Sequence, residues 1–174
     1  MATRTKRAPK KTTAKAATNK VQPIPAGYPP ITPYLRVRGA DRALEFYKKA
    51  FGAKAKGRVA GPDGQVMHAE MQVFNTRVML SDEFPERGSL SPESLKGSAV
   101  GLFVYTRDVD GAIARAVAAG ATVTMPAQDM FWGDRFGTIR DPFGHDWQLA
   151  THKEDVAPKE MQRRFQAMQA QQKG

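Results

Sequence analysis

The chain repeats itself. TPYLRV at 32–37 leads into ADRALEFYKKAFGAKA, and AVGLFV at 99–104 leads into DVDGAIARAVAAGATV. Leu35 and Leu102, like Val37 and Val104, lie 67 positions apart, and Gly52 and Gly120 lie 68 apart. MLSD (79–82) and QLAT (148–151) lie 69 apart. A period near 68 with small insertions means one supersecondary unit made twice, each unit too small to bury its apolar face alone.

Each unit reads strand–helix–strand–strand–strand. In the first, 31–37 alternates as a strand, and 40–51 has helical apolar spacing at Ala43, Leu44, Tyr47 and Phe51. Gly52 supplies the left-handed helix stop. Strands are expected near 54–60, 65–73 and 77–82, with GPDG (61–64) as a turn. In the second unit, 98–105 is a strand, and Asp108 or Asp110 caps a helix ending before Gly120. Strands near 122–126, 136–140 and 146–151 follow, with DPFG (141–144) as the last turn. The expected fold class is α+β: two tandem βαβββ modules, about 31–95 and 98–152, forming a cupped mixed sheet.

The flanks differ from this body. The net charge of +10 is concentrated in residues 1–20, which carry seven Lys or Arg and no acid. With little but Ala and Thr between its cations and no Leu, Ile, Phe or Trp in residues 1–20, the tail (1–22) is expected to stay disordered. Three readings remain open for it: a solubilising extension, a weak contact with nucleic acid or another polyanion, and a targeting segment. A Pro-rich linker spans 23–30. Residues 153–174 form a C-terminal helical extension, starting at Pro158, with Met161, Phe165 and Met168 as a narrow stripe suited to docking on the body or a sister subunit.

With no Cys, disulfides, thiol catalysis and thiolate metal sites are excluded. No run of about 18 apolar residues exists to span a membrane, and no apolar segment behind the N-terminal charges reads as a secretory signal. A cytoplasmic location is expected.

The duplicated pattern resembles the vicinal oxygen chelate superfamily (glyoxalase I, bleomycin-resistance proteins, extradiol dioxygenases), and within it the PhnB-like branch. TPYLRV with ALEFYKKAFGA, VMHAEM, LSDEFPE, DVDGAIARAVAAGATV and FWGDRFGTIRDPFGHDWQLATHKED carry the likeness, over roughly residues 30–155. It implies two modules cupped around a cavity and a homodimer. Metal-binding members place a ligand on the first and last strand of each module, which carries over to Thr32, Met79, Ala99 and Gln148. A thioether and a methyl do not hold a divalent ion, and Thr and Gln are poor substitutes. No metal and no cofactor are therefore expected.

The three His do not obviously rebuild such a site. His68, Glu70 and Gln72 share one strand face. His68 with Glu70 reads either as a two-ligand set, as a polar cavity wall, or as a His bonded to a carbonyl. His145 directly follows the DPFG turn, whose Asp141 is placed to bond its own backbone. His152 lies beyond the last strand and reads as solvated. Glu70 is the general-base candidate, as the one carboxylate on a pocket-facing strand.

Strand alternation sorts the lining. If Thr32 faces the cavity, so do Tyr34 and Arg36; Ala99, Gly101, Phe103 and Tyr105 follow, as do Arg77, Met79, Ser81 and Gln148. FWGDR adds Phe131 or Trp132 as a flat wall. Asp134 and Arg135 either read polar groups of a ligand or pair with each other to pin the loop. The expected ligand-binding set is Tyr34, Arg36, His68, Glu70, Phe103, Trp132, Arg135 and Gln148, suited to a small organic ligand with polar or anionic character. The expected function is metal-free binding of the bleomycin-resistance type. The alternatives are a lyase, isomerase or dioxygenase using a non-standard metal or Glu70 as base, and a protein tethered to nucleic acid through its tail.

Overall fold

A computed structural model describes residues 21–171. The expectations for residues 1–20 lie outside the described residues. Module one runs β1 (Tyr34–Val37), α1 (Ala40–Phe51), β2 (Lys54–Ala60), β3 (Val66–Val73) and β4 (Thr76–Asp82). Module two runs β5 (Gly101–Tyr105), α3 (Val109–Ala118), β6 (Thr122–Asp129), β7 (Asp134–Arg140) and β8 (Asp146–His152). The connection holds a single 3-10 turn (Pro85–Arg87) and the short α2 (Pro92–Leu95), neither of which the periodicity suggests. Helix α4 (Pro158–Gln171) closes the described chain.

The two sheets have matching orders, β1-β4-β3-β2 and β5-β8-β7-β6. In each, the first strand pairs parallel to the last and the other pairings are antiparallel. Their registers refine the repeat. Tyr34 pairs with Met79 and Phe103 with Gln148, so Tyr34 corresponds to Phe103, 69 positions on. The sequence match of Leu35 with Leu102 is thus displaced by two residues, and Leu35 corresponds to Val104. A slip of two keeps every side chain on its own face, which is why the sorting by alternation survives. The same offset links the helix starts. The Ala40 N–H donates to Asp82 Oδ1 at 2.8 Å, and the Val109 N–H donates to Thr151 Oγ1 at 2.9 Å. The last strand of each module therefore anchors its helix N-terminus.

The core lies between the helix-facing sides of both sheets and the packed pair α1 and α3. Leu35, Val37, Val78 and Leu80 from sheet one and Ile139, Trp147 and Leu149 from sheet two are buried there. Helix α1 supplies Phe46, Tyr47 and Phe51; Leu44, one of the positions singled out by periodicity, is only partly buried. Trp147 packs on Tyr47 and Phe51, with ring centroids 5.5 and 4.7 Å away.

Asp141 is more than a turn residue. Its Oδ1 accepts the Phe143 and His145 N–H groups, each at 2.9 Å, as expected of a DPFG turn. Its Oδ2 accepts the Tyr47 hydroxyl at 2.6 Å and Trp147 Nε1 at 3.0 Å. His145 Nε2 reaches the Arg36 carbonyl at 3.1 Å, so this turn bolts module two onto module one. Alternation would set Val100 with Leu102 and Val104 on the helix-facing side, but Val100 precedes β5 and is exposed.

Candidate functional site

The faces turned away from the core carry the site residues. On module one, Tyr34, Met79 and Glu70 lie side by side across β1, β4 and β3. Glu70 is the hub. Its carboxylate accepts Arg77 Nη1 at 2.6 Å and the Tyr28 hydroxyl, 2.7 Å from both of its oxygens. His68 Nε2 lies 3.2 Å from Glu70, and its Nδ1 shares a 3.0 Å hydrogen bond with the Tyr34 hydroxyl. Arg36 donates to Ser81 Oγ at 2.6 Å and lays its guanidinium 4.1 Å from the Tyr34 ring centroid. The bond from Tyr28, outweighing burial, and then His68 and Arg77 hold the Glu70 carboxyl below the ordinary glutamate range. Glu70 is thus an anchored anion, a good acceptor and a weak base.

The face of module two is aromatic. Phe103 stacks on Phe136 at 5.7 Å and touches Tyr105 at 5.1 Å. Phe136 meets Trp132 edge-on at 5.7 Å, Trp132 meets Phe131 at 4.9 Å, and Phe131 meets Phe165 of α4 at 5.1 Å. Gln148 lies between Phe103 and Thr138, its amide nitrogen against Gly101. A cavity of about 470 Å³ adjoins this face, sharing Phe103 and Tyr105 and bounded by Ile31, Phe74 and Trp147.

Asp134, buried beneath the aromatic run, accepts Tyr105 Oη and Trp132 Nε1, both at 3.0 Å, and bonds His152 Nδ1 at 2.7 Å. His152 Nε2 contacts Asp155 at 3.0 Å. The Asp134 carboxylate first, and Asp155 second, raise the His152 pKa above the ordinary histidine value. His152 is therefore held by acids at the end of β8, where free solvation was expected. Asp134 and Arg135 do not pair. Arg135 donates to Asp110 of α3 at 2.6 and 2.8 Å, and reaches Asp129 at 3.3 Å. Successive strand residues point to opposite sides, so Arg135 leaves the aromatic face and braces the helix.

Of the expected set, Tyr34, Arg36, His68 and Glu70 converge on the first face, and Phe103, Trp132 and Gln148 on the second. Arg135 joins neither. Tyr28 and Arg77 complete the first face; an aromatic set among prolines was the only sequence signal for Tyr28. In a single chain both faces are open, with Tyr34 at 40% and Phe103 at 47% exposure.

The four positions that the resemblance carries over as metal ligands do not fit an ion. Thr32 lies outside β1 and donates to the Pro29 carbonyl at 3.2 Å. Ala99 also lies outside its strand, and the position matching Thr32 by register is Gly101, which has no donor either. Met79 and Gln148 complete a set without imidazole or carboxylate. Among the described residues no three His, Asp or Glu side chains gather into a metal-holding group. No helix of the described residues is long and apolar enough to cross a membrane.

Residues 28–149 match the family described as Glyoxalase/Bleomycin resistance protein/Dioxygenase superfamily. The chain is 42% identical over 137 residues to the uncharacterized protein Rv0887c of Mycobacterium tuberculosis, covering 77% of this chain and 81% of that protein. Among solved structures it resembles TioX from Micromonospora sp. ML1, with a TM-score of 0.56, 29% identity, and coverage of 70% and 97% of the two chains. It also shares its fold with a PhnB protein from Bacillus cereus, described as a putative 3-demethylubiquinone-9 3-methyltransferase. There the TM-score is 0.56 at 22% identity, covering 71% of this chain and 99% of that one. With its twin βαβββ modules and their common register, the chain belongs to the glyoxalase/bleomycin resistance protein/dioxygenase superfamily.

Proposed function

We propose that the chain is a metal-free small-molecule-binding protein of the bleomycin-resistance type. Its ligand is an organic molecule with an aromatic part and a polar or anionic part. The observation that carries this reading is the aromatic run from Phe103 through Phe136 and Trp132 to Phe131. Partly exposed aromatic surface with a few oriented polar groups is the usual composition of an organic-ligand site. The first face supplies Arg36 and His68 as donors and Glu70 as an acceptor. Glu70 is already bonded to a guanidinium and a phenol, which suits recognition better than proton abstraction.

A homodimer and a cytoplasmic location belong to the same proposal. Among the described residues, strands β1 and β5 each have one edge unpaired, and Tyr105 beside Phe103 is 61% exposed. A second copy that laid a polar face opposite an aromatic one would turn two open faces into closed cups. Polyanion contact through the basic residues 1–20 is a separate proposal resting on charge alone. Deleting 1–22 is expected to abolish salt-sensitive DNA binding, and retained affinity would move that contact to the body.

A thermal-shift screen of aromatic acids, metabolites and antibiotics tests the reading. Ligand at about a hundred times its Kd adds about 2.7 kcal/mol to stability, enough to raise the Tm by several degrees. The expected result is a chemically coherent set of hits that Trp132→Ala weakens. No hits, or hits insensitive to changes on both faces, would contradict it.

A further inference from the structure

The Pro-rich segment does more than lead into β1. The Tyr28 N–H donates to the Pro25 carbonyl at 3.2 Å, turning the chain across the first face. The Tyr28 hydroxyl then sits 2.7 Å from each oxygen of Glu70. Its ring lies under the Arg77 guanidinium, 4.2 Å from the centroid, and Arg77 in turn donates to Glu70 at 2.6 Å. Gly27 brings the backbone close to Arg77; a Cβ there would lie 3.5 Å from Nη2. Carboxylate and cation thus form two walls fitted to one ring and one hydroxyl, a cation–π contact joined to a charge-assisted hydrogen bond.

Apart from Tyr28 and Pro29, the segment itself buries little. Residues 21–27 are all exposed, and Tyr28 and Pro29 are its partly buried members. The walls, in contrast, are set on neighbouring strands β3 and β4, and the Glu70 and Arg77 side chains are each 16% exposed. A receptor set on paired strands is thus filled by an exposed segment of the same chain.

We propose that Tyr28 is an internal occupant of a phenol-binding site built by Glu70 and Arg77, and that a phenolic or hydroxylated aromatic ligand binds by displacing it. This rests on the proposed ligand-binding role of the first face and adds its chemical class and an autoinhibitory strap. Apparent affinity falls in proportion to the fraction of chains in which the site is free, so the strap sets a threshold for binding.

The test is titration of p-cresol, with toluene as control, into the full-length chain and its Tyr28→Ala and Tyr28→Phe variants, followed by NMR. Tyr28→Ala is expected to bind p-cresol at least about tenfold more tightly than wild type. Tyr28→Phe, which keeps the ring and loses the hydroxyl, should fall between them. Toluene should gain little, and adding Glu70→Gln to Tyr28→Ala should remove the gain. Unchanged p-cresol affinity in both Tyr28 variants, with native amide shifts, would overturn the proposal, as would equal gains for toluene. If these variants fail while screen hits still depend on Trp132, only the strap and its phenol site are refuted. If neither face binds any organic probe, the proposed function is refuted as well.

Discussion

The Tyr47 hydroxyl of module one donates to the Asp141 carboxylate of module two at 2.6 Å, across 94 residues of chain and away from solvent. Burial first, and the adjacent Asp141 charge second, push the Tyr47 pKa well above the ordinary tyrosine value, so the phenol remains a donor. This bond ties the two modules together across the core, beside the packing of α1 on α3 and of Trp147 on Tyr47 and Phe51. Tyr47→Phe is expected to cost about 1–3 kcal/mol, because a buried carboxylate loses one of its four donors. Asp141→Ala should cost more, about 3–5 kcal/mol, since Tyr47, Trp147 and two turn N–H groups lose their acceptor together. Urea denaturation of the two variants checks the order; equal, near-zero costs would remove this joint from the account.

Gly137 is where β7 meets helix α3 and strand β6. A Cβ there would stand 2.7 Å from Ile113 Cδ1 and 3.0 Å from the Ala127 backbone nitrogen and Cα. The Ile side chain can rotate, but the strand backbone cannot yield cheaply. Gly137→Ala is expected to destabilise by about 1–3 kcal/mol, the usual cost of overpacking. Gly57→Ala, with no atom within 4 Å of the added Cβ, should be close to neutral and serves as the control.

His152 gives a pH signature of the second face. Its pKa is raised by Asp134 and Asp155, so the charged ring is favoured in the folded chain. The stabilisation is fully present below the unfolded histidine pKa, about 6.5, and is lost as pH rises through the higher folded value. NMR titration of the His152 ring should therefore give a midpoint above that of an unfolded histidine. Asp134→Asn should bring the midpoint down and weaken the seating of Trp132. An unshifted wild-type midpoint would show that Asp134 does not hold the ring.

Much of the fold was legible because alternation and helical spacing report burial directly. Strands β2, β3, β4, β7 and β8 and helix α1 fall where the pattern of apolar residues places them, to within one or two positions. The sorting of Leu35 and Val37 from Tyr34 and Arg36 survived a two-residue error in aligning the repeats, since strand faces depend only on parity. Partners across the fold were not legible. With β7 expected to begin only at 136, alternation was not applied to Asp134 and Arg135, which the strand in fact includes and turns to opposite sides; nothing near Asp141 points to Tyr47. Tyr28 was hidden for the same reason: composition marks 23–30 as a linker, and only the tertiary contact with Glu70 makes it part of a site.

On the proposed function, these faces hold an organic ligand without a metal. Calorimetric titration of untagged, chelator-treated protein with Zn, Ni, Mn and Fe(II), with metal analysis of the protein as purified, tests it most directly. The set of Thr32, Met79, Gln148 and either Gly101 of β5 or Ala99 before it predicts no stoichiometric binding. One tight divalent ion per chain, lost on replacing His68 or Glu70, would contradict the account and move the protein to the metal-dependent enzymes of its superfamily.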